Sequence, residues 1–308
     1  MTAQITVDAR SAAKDVSASG TPAINPHIAG RLRDYADLLT SQGEGGFRSR
    51  AYRRAADVVA GLDRQVDEIL AHEGRAGLIA LPAVGVGIAG AIAEMVTTGH
   101  WSQLERLRGE LAPEALFRTI PGIGARLANR LAEEGQLESL EDLEHAVHFG
   151  GLAVRGFGPR RKRMIAAVLA ERLGRPAFTR SGNAAPPPTA VLLEVDRMYR
   201  ERAAKGLLRK IAPRRFNPAG EAWLPILHAS HDGWHFTALY SNSRLAHQLK
   251  KITDWVVIHY QRDGAPEGRV TVVTGSRGPL AGQRIVRGRE DESEAKDDEH
   301  ETRIGNRK

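Results

Sequence analysis

The sequence contains no cysteine in 308 residues, which removes a disulfide framework, a thiolate metal site and a cysteine nucleophile together. A reducing compartment is compatible with that composition. There is also no lysine between Lys14 and Lys162, so a long stretch of chain has no side-chain amine able to attack a carbonyl. The opening MTAQITVDARSAAKDVSASG lacks an apolar core behind a basic start, and no secretory signal is expected. Cytoplasmic residence follows as the expectation, nucleoid-associated if the protein is bacterial. The longest uncharged run, Ala76 to Ala93, is broken by Pro82 and by glycines, so no membrane span is expected there.

Charge is present in excess and is unevenly placed. The net charge is +7, but residues 1–190 sum to only +2, residues 191–289 to +9, and the tail that begins EDESEAKDDEHE at Glu290 to −4. A basic body suits a polyanionic partner such as a nucleic acid, whereas the acidic tail reads as a solvated, disordered end. Composition marks the boundaries. Residues 1–24 are polar and unpatterned, and SGNAAPPPTA forms a Pro-rich linker over about 179–190, which no helix or strand interior tolerates. The folded regions are then 25–178 and 191–289.

Stretches such as HIAGRLRDYADLLTSQ and AYRRAADVVAGLDRQVDEIL place apolar residues three or four apart, the helical period. After Arg215 the pattern changes to short β-branched and aromatic runs, AWLPILHA, WHFTALYS, DWVVIHYQ and RVTVVTGS, which read as strands. The fold class expected is a mainly α N-terminal domain followed by a small α+β domain, with disordered ends.

Within the helical region GVGIAG, at Gly85 to Gly90, spells a dinucleotide-binding turn, but its setting argues otherwise. LPAVGVG from Leu81 recurs as IPGIGAR from Ile120 and as VRGFGPR from Val154, 39 and then 34 residues on. A dinucleotide fold does not repeat its fingerprint three times, and no strand ending in an acidic residue follows at the required distance. A helix, a tight glycine turn and a second helix remain. Such a turn brings backbone amides and the positive end of a helix dipole close to a phosphate. The arrangement resembles the helix-hairpin-helix motif, and the resemblance implies three such units with DNA-contacting turns at Ala83, Gly85 and Gly87, at Gly122, Gly124 and Arg126, and at Gly156, Gly158, Arg160, Arg161 and Lys162. Arg130 adds a second cation to the helix of the middle unit.

These segments, together with GEGGFRSRAYRRAADVVAGL before them, resemble the N-terminal lyase-type domain and the adjoining helix-hairpin-helix subdomain of family X (beta-like) DNA polymerases over roughly residues 25–175. The resemblance implies a 5′-phosphate pocket at Arg48, Tyr52 and Arg53, a preference for gapped or branched duplex, and a role in DNA repair or genome maintenance. It also exposes two departures. The family's Schiff-base lysine falls on Ala91, and the palm domain is missing. Downstream, Glu194-Val195-Asp196 is the nearest approach to a carboxylate motif and reads as a solvated helix face. Neither polymerase nor lyase activity is expected, and no cofactor or metal site is implied beyond room for a monovalent cation at a hairpin turn. The alternatives are a 5′-deoxyribose-phosphate lyase using another amine and a scaffold that binds only proteins.

The basic second region resembles no characterised module. A helix from Thr189 to Leu208, two strands around His231-Asp232-Gly233, a short helix in SRLAHQLKK and two further strands are expected. Arg214, Arg215, Arg244, Lys250 and Lys251 are candidate phosphate contacts, with Arg277, Arg284, Arg287 and Arg289 clustered near the end. His228, His231, His235, His247 and His259 lack ligand spacing and are expected at the surface. Most aromatic residues of the strands are expected in the core. A fragment ending near Gly182 should give a strongly helical far-ultraviolet circular dichroism spectrum; a β-rich spectrum would overturn the division of the chain.

Overall fold

The computed structural model describes residues 23–149, 154–172, 186–262, 267–276, 278–290 and 292. The polar N-terminus, most of the Pro-rich linker and the acidic tail lie outside them. Helices α1 (Ile24–Ser41), α2 (Phe47–Ala60), α3 (Val66–Ile79), α4 (Val86–Thr98) and α5 (Ser102–Arg108) form the first helical unit. Along α1 the buried residues Ile28, Leu32, Tyr35 and Leu39 follow the three-and-four spacing that makes one apolar stripe. That stripe packs on Tyr52, Ala55, Ala56 and Val59 of α2. The rings of Tyr35, Tyr52 and Trp101 meet with centroids 4.5 to 5.8 Å apart. The starts of α1 and α3 cap one another: Gln65 Oε1 accepts from the amides of Ile24 and Asn25, while Asn25 Oδ1 accepts from Val66 N at 2.9 Å. Orphan amides of both helices are thereby satisfied without solvent.

Helices α6 (Pro113–Arg118), α7 (Ala125–Glu133), α8 (Leu140–Phe149) and α9 (Pro159–Arg172) close around a separate core that includes Leu116, Phe117, Leu131, Leu143, Ile165 and Leu169. Proline opens α6, where its missing amide is harmless. A capping box opens α8, with Asp142 N donating to Ser139 Oγ and Ser139 N to Asp142 Oδ2.

The C-terminal region begins with α10 (Thr189–Ala204) and continues through β1 (Arg209–Ile211), β2 (Leu224–His231), β3 (Trp234–Tyr240), α11 (Arg244–Gln248), β4 (Val256–Arg262), β5 (Gly268–Thr274) and β6 (Arg284–Val286). The strands form one antiparallel sheet in sequential order β1 to β6. β2 and β3 are joined by Asp232 and Gly233, with φ of 49° and 77°, the two-residue turn whose twist suits a hairpin. Among the described residues six strands replace the four expected. The two additions are three-residue edge strands inside segments rich in proline, glycine and arginine, too short to show an alternation of their own.

Alternation assigns the sheet two unlike faces. Leu227, Trp234, Phe236, Ala238, Val256, Ile258 and Val272 pack beneath Leu192, Val195 and Tyr199 of α10. The opposite face joins Ile226 and Leu239 to the core of the first helical unit, and it also presents His228, His235, His259 and Arg269 to the helices. Arg106 on α5 binds Glu267 through both guanidinium ends at 3.1 Å. Arg269 reaches Glu138 and Asp142 beside α8. Glu44, between α1 and α2, lies within 3.6 Å of His228 and His235.

Two sequence expectations change here. His228 and His259 are not at the surface, each having a side chain only 2% exposed, because the polar face of the sheet is itself covered by helices. Asp196 is not on a solvated face either: it is 1% exposed and receives Arg284 at 2.7 and 3.0 Å, while its neighbour Glu194 is outside, paired with Arg197.

The tautomer of His228 follows from its partners. Gln42 Nε2 donates to Leu107 O at 3.1 Å, so its Oε1 accepts from His228 Nε2 at 2.9 Å. His228 Nδ1 then accepts from the Thr237 hydroxyl. Burial pushes this imidazole down to about 4, against a smaller opposing pull from Glu44 and with Arg48 acting in the same sense as burial. Burial also holds His259 well below the usual range, helped by Arg106 and Arg269. A histidine held neutral in the fold stabilises fully above its unfolded value of about 6.5, and that stability is lost as pH falls towards its folded value. His228 alone should contribute a loss of about 3 kcal/mol between pH 7 and pH 4. Urea unfolding of His228→Gln should therefore fall less steeply with acid than the wild type. Parallel pH profiles would show that His228 does not titrate with unfolding.

Candidate nucleic-acid interface

The three repeated segments form three turns of one backbone geometry. In each, the carbonyl of the first apolar residue accepts from the amide of the fourth: Leu81 from Val84 at 3.2 Å, Ile120 from Ile123 at 3.1 Å and Val154 from Phe157 at 3.1 Å. The third residue has positive φ each time, 59° at Ala83, 84° at Gly122 and 89° at Gly156. Val84, Ile123 and Phe157 are buried and anchor the turns to the cores. The glycines that follow are extended, Gly85 and Gly124 having φ near −80°, and α4, α7 and α9 start directly after Gly85, Gly124 and Gly158. No side chain caps the starts of α4 and α7. Their first amides thus lack the usual side-chain acceptor, the condition under which an anion is welcome.

The surroundings of the turns differ. At the first, Pro82, Ala83 and Gly85 are exposed, but a Cβ at Gly87 would lie 2.4 Å from Gln261 Nε2 of β4, and one at Gly90 would lie 2.3 Å from Arg75. Ala91 is buried and faces a cavity of about 40 Å³ shared with Gln261 and Glu267, on the scale of a water molecule or two rather than a nucleotide. The second and third turns interlock instead. Met164 of α9 lies against Gly122, where a Cβ would come within 2.2 Å of its methyl group. In return Arg130 of α7 donates to Arg155 O in the third turn at 2.8 Å. Arg161 donates to Gly156 O, and Lys162 Nζ stands 5.6 Å from the Phe157 ring. Arg126, Arg155, Arg160 and Arg163 are exposed around this pair.

The residues expected to form a 5′-phosphate pocket are not brought together at the surface. Arg48 is 8% and Tyr52 4% exposed. Arg48 donates to Tyr35 Oη at 2.6 Å and contacts Glu44, and Tyr52 lies in the aromatic cluster. Their place between α1 and the sheet explains the difference from a solvent-facing pocket. Arg53 is outside, bound to Asp37 at 2.8 Å.

Of the C-terminal cations, Arg214, Arg244 and Lys250 are exposed. Arg215 is bound to Glu133 of α7, and Lys251 pairs with Asp254 at 3.3 Å. Arg284 is committed to Asp196 and Asp254, Arg287 lies over Trp255, and Arg289 donates to Pro187 O. Arg277 lies outside the described residues. Among the described residues no three His, Asp or Glu side chains gather as metal ligands, and no helix is long and apolar enough to cross a membrane. The contacts of Met164 and Gln261 on the turns had no signal in the sequence, since both are set by packing between distant segments.

Residues 23–101 match the helix-hairpin-helix domain family. The match takes in α1 to α4 and the first turn. Domains of this family typically bind DNA, and the match is consistent with binding that does not depend on sequence.

Backbone sign and free space make different demands at the second and third turns. Gly156→Ala meets only guanidinium atoms beyond 3.5 Å, so its cost is the left-handed backbone alone, about 1 kcal/mol. Gly122→Ala must in addition displace the Met164 methyl and should be the more destabilising. Urea midpoints of the two variants test this, and a neutral Gly122→Ala would contradict the geometry.

Proposed function

We propose that the chain binds DNA without sequence preference, through the backbone amides and adjacent cations of its second and third hairpins. The observation that carries this reading is the interlocked pair of turns, in which the uncapped start of α7, the start of α9 and exposed arginines share one surface. The preferred DNA is gapped or branched duplex, and the role is in repair or genome maintenance, on the nucleoid if the organism is bacterial. The likeness of residues 25–175 to the front half of a family X polymerase supports that choice; the family match at 23–101 supports the DNA binding itself.

The reading is of a binding module rather than an enzyme. The position corresponding to the family's Schiff-base lysine is Ala91, buried beneath Gln261 and Glu267, and the Glu194-Val195-Asp196 segment has its inner carboxylate held by Arg284. The first hairpin contributes least, because α4 carries no cation and its opening turn is covered at Gly87. The proposed units are a helical DNA-binding domain at 25–178 and a basic α+β domain at 191–289, joined by the linker at 179–190. The remaining exposed candidates of the C-terminal region are Arg214, Arg244 and Lys250.

Each neutralised phosphate releases counterions, so affinity should fall steeply with salt. Arg160→Glu with Arg163→Glu removes exposed cations from one face of α9 while leaving Arg161 to hold its turn. The pair should weaken binding and reduce the slope of log affinity against log salt by about one to two units. Arg202→Glu with Lys205→Glu, at the far end of α10, makes the same change of charge and should do much less. A titration of gapped, nicked and intact duplex across a salt series reads both. Equal losses from the two pairs would show that only net charge matters, and no binding at low salt would reject the reading.

A further inference from the structure

Phe216 is at odds with its surroundings in two respects. It has φ of 53°, a backbone conformation that is an outlier for a bulky side chain and that persists only where neighbours impose it. It also leaves 45% of its surface in water, in a loop where burial would be expected of a phenylalanine. The loop is not loose. Arg214 N donates to Gly109 O at 2.6 Å, Asn242 Nδ2 donates to Arg215 O at 3.0 Å, and Asn217 exchanges two bonds with the backbone of Glu221. Asn242 does a second job. Its Oδ1 accepts from His247 Nε2 at 2.6 Å, which fixes the imidazole against the Phe216 ring with centroids 4.5 Å apart. The Arg215 guanidinium lies over the same ring, 5.4 Å from its centroid.

The setting is cationic and adjoins the proposed DNA surface. Arg214, two residues before Phe216, and Arg244, three residues before His247, are exposed. Glu133 is taken up by Arg215, Glu114 also acts on that guanidinium, and Glu221 is exposed in the loop. Arg130 and Glu133 are three residues apart on α7 and so share one face of it. The first holds the third hairpin turn and the second holds the Phe216 loop, which places the two side by side.

We infer that Phe216, backed by His247 and flanked by Arg215, is a stacking platform for an unpaired base of the DNA that the third hairpin holds by its backbone. An aromatic ring with an adjoining guanidinium binds a base through its face, tolerates any base, and contributes nothing along intact duplex, where every face is already stacked. This rests on the DNA-binding reading and sharpens it: the platform is the element that distinguishes gapped from intact DNA.

The test uses the full chain with three labelled probes: intact duplex, the same duplex with a short internal gap, and a single-stranded oligonucleotide. Phe216→Ala should weaken binding to the gapped and single-stranded probes by roughly tenfold, within the range of one stacked base, and leave intact duplex unchanged. Phe216→Trp should restore the affinity, whereas Phe216→Leu, which keeps the apolar bulk but has no ring, should not. Thermal unfolding of each variant checks that the loop's anchors survive. Gapped-DNA affinity unaltered in Phe216→Ala, or restored in Phe216→Leu, would overturn the platform while hairpin binding to duplex stands. A wild type that binds none of the three probes would instead reject the DNA-binding reading itself.

Discussion

The arrangement of the molecule depends on a sheet that is apolar on one side and part apolar, part charged on the other, with both sides covered. α10 satisfies the apolar side by ordinary burial. The charged part of the other side is satisfied only because the helices bring matching charges to it, with Arg106 and Glu267 at the centre and Arg269, Glu138, Asp142 and Glu44 around them. A buried ion pair contributes little net stability, since desolvation consumes most of its attraction, but removing one partner is strongly destabilising. Such a face therefore specifies a partner more than it strengthens one. It fixes the sheet against α5 and α8 at one register, and the covering of the first hairpin by Gln261 is a consequence.

That consequence separates three turns that the sequence presents as equivalent. Their hydrogen bonds and backbone signs agree closely, because a turn of this tightness has few solutions. What surrounds them does not agree. The first turn is drawn into an interface between regions, while the second and third exchange Met164 and Arg130 and form one surface. Even the tolerance of Ala83 for positive φ marks the first turn as different, since the other two have glycine at that position.

Most of the architecture could be read from periodicity. The three-and-four spacing of α1 and α2, the repeat at Leu81, Ile120 and Val154, and the change to short β-branched runs after Arg215 each report a local rule, and local rules are written in neighbouring residues. The edge strands β1 and β6 escaped because three residues cannot display a period. The candidate site was legible only in part. Hairpin glycines are recognisable because their backbone requires them, whereas the burial of Arg48, Tyr52, His228 and His259 arises from residues far away in the chain. A cation four residues from a tyrosine on a helix looks the same in sequence whether it meets solvent or a sheet. Phe216 carries no signal in the sequence either: its loop is held in place, with the ring in water, by contacts made through Asn242, His247 and Gly109.

The cations at the start of α9 bear on why the third hairpin and not the first carries the proposed contact. Arg160, Arg161, Lys162 and Arg163 stand at the positive end of a helix dipole, where like charge is unfavourable. Arg161 escapes part of that penalty by donating to Gly156 O, and Lys162 by lying over Phe157. Arg160 and Arg163 have only solvent-facing positions. A sequence under no demand for an anion would relieve this repulsion with one acidic residue in the first turn, as α3 does with Asp67 and Glu68. That α9 has none there, beside an uncapped sister turn and a rigid exposed ring, is the physical arrangement in which a phosphate backbone would relieve a strain already present in the free protein.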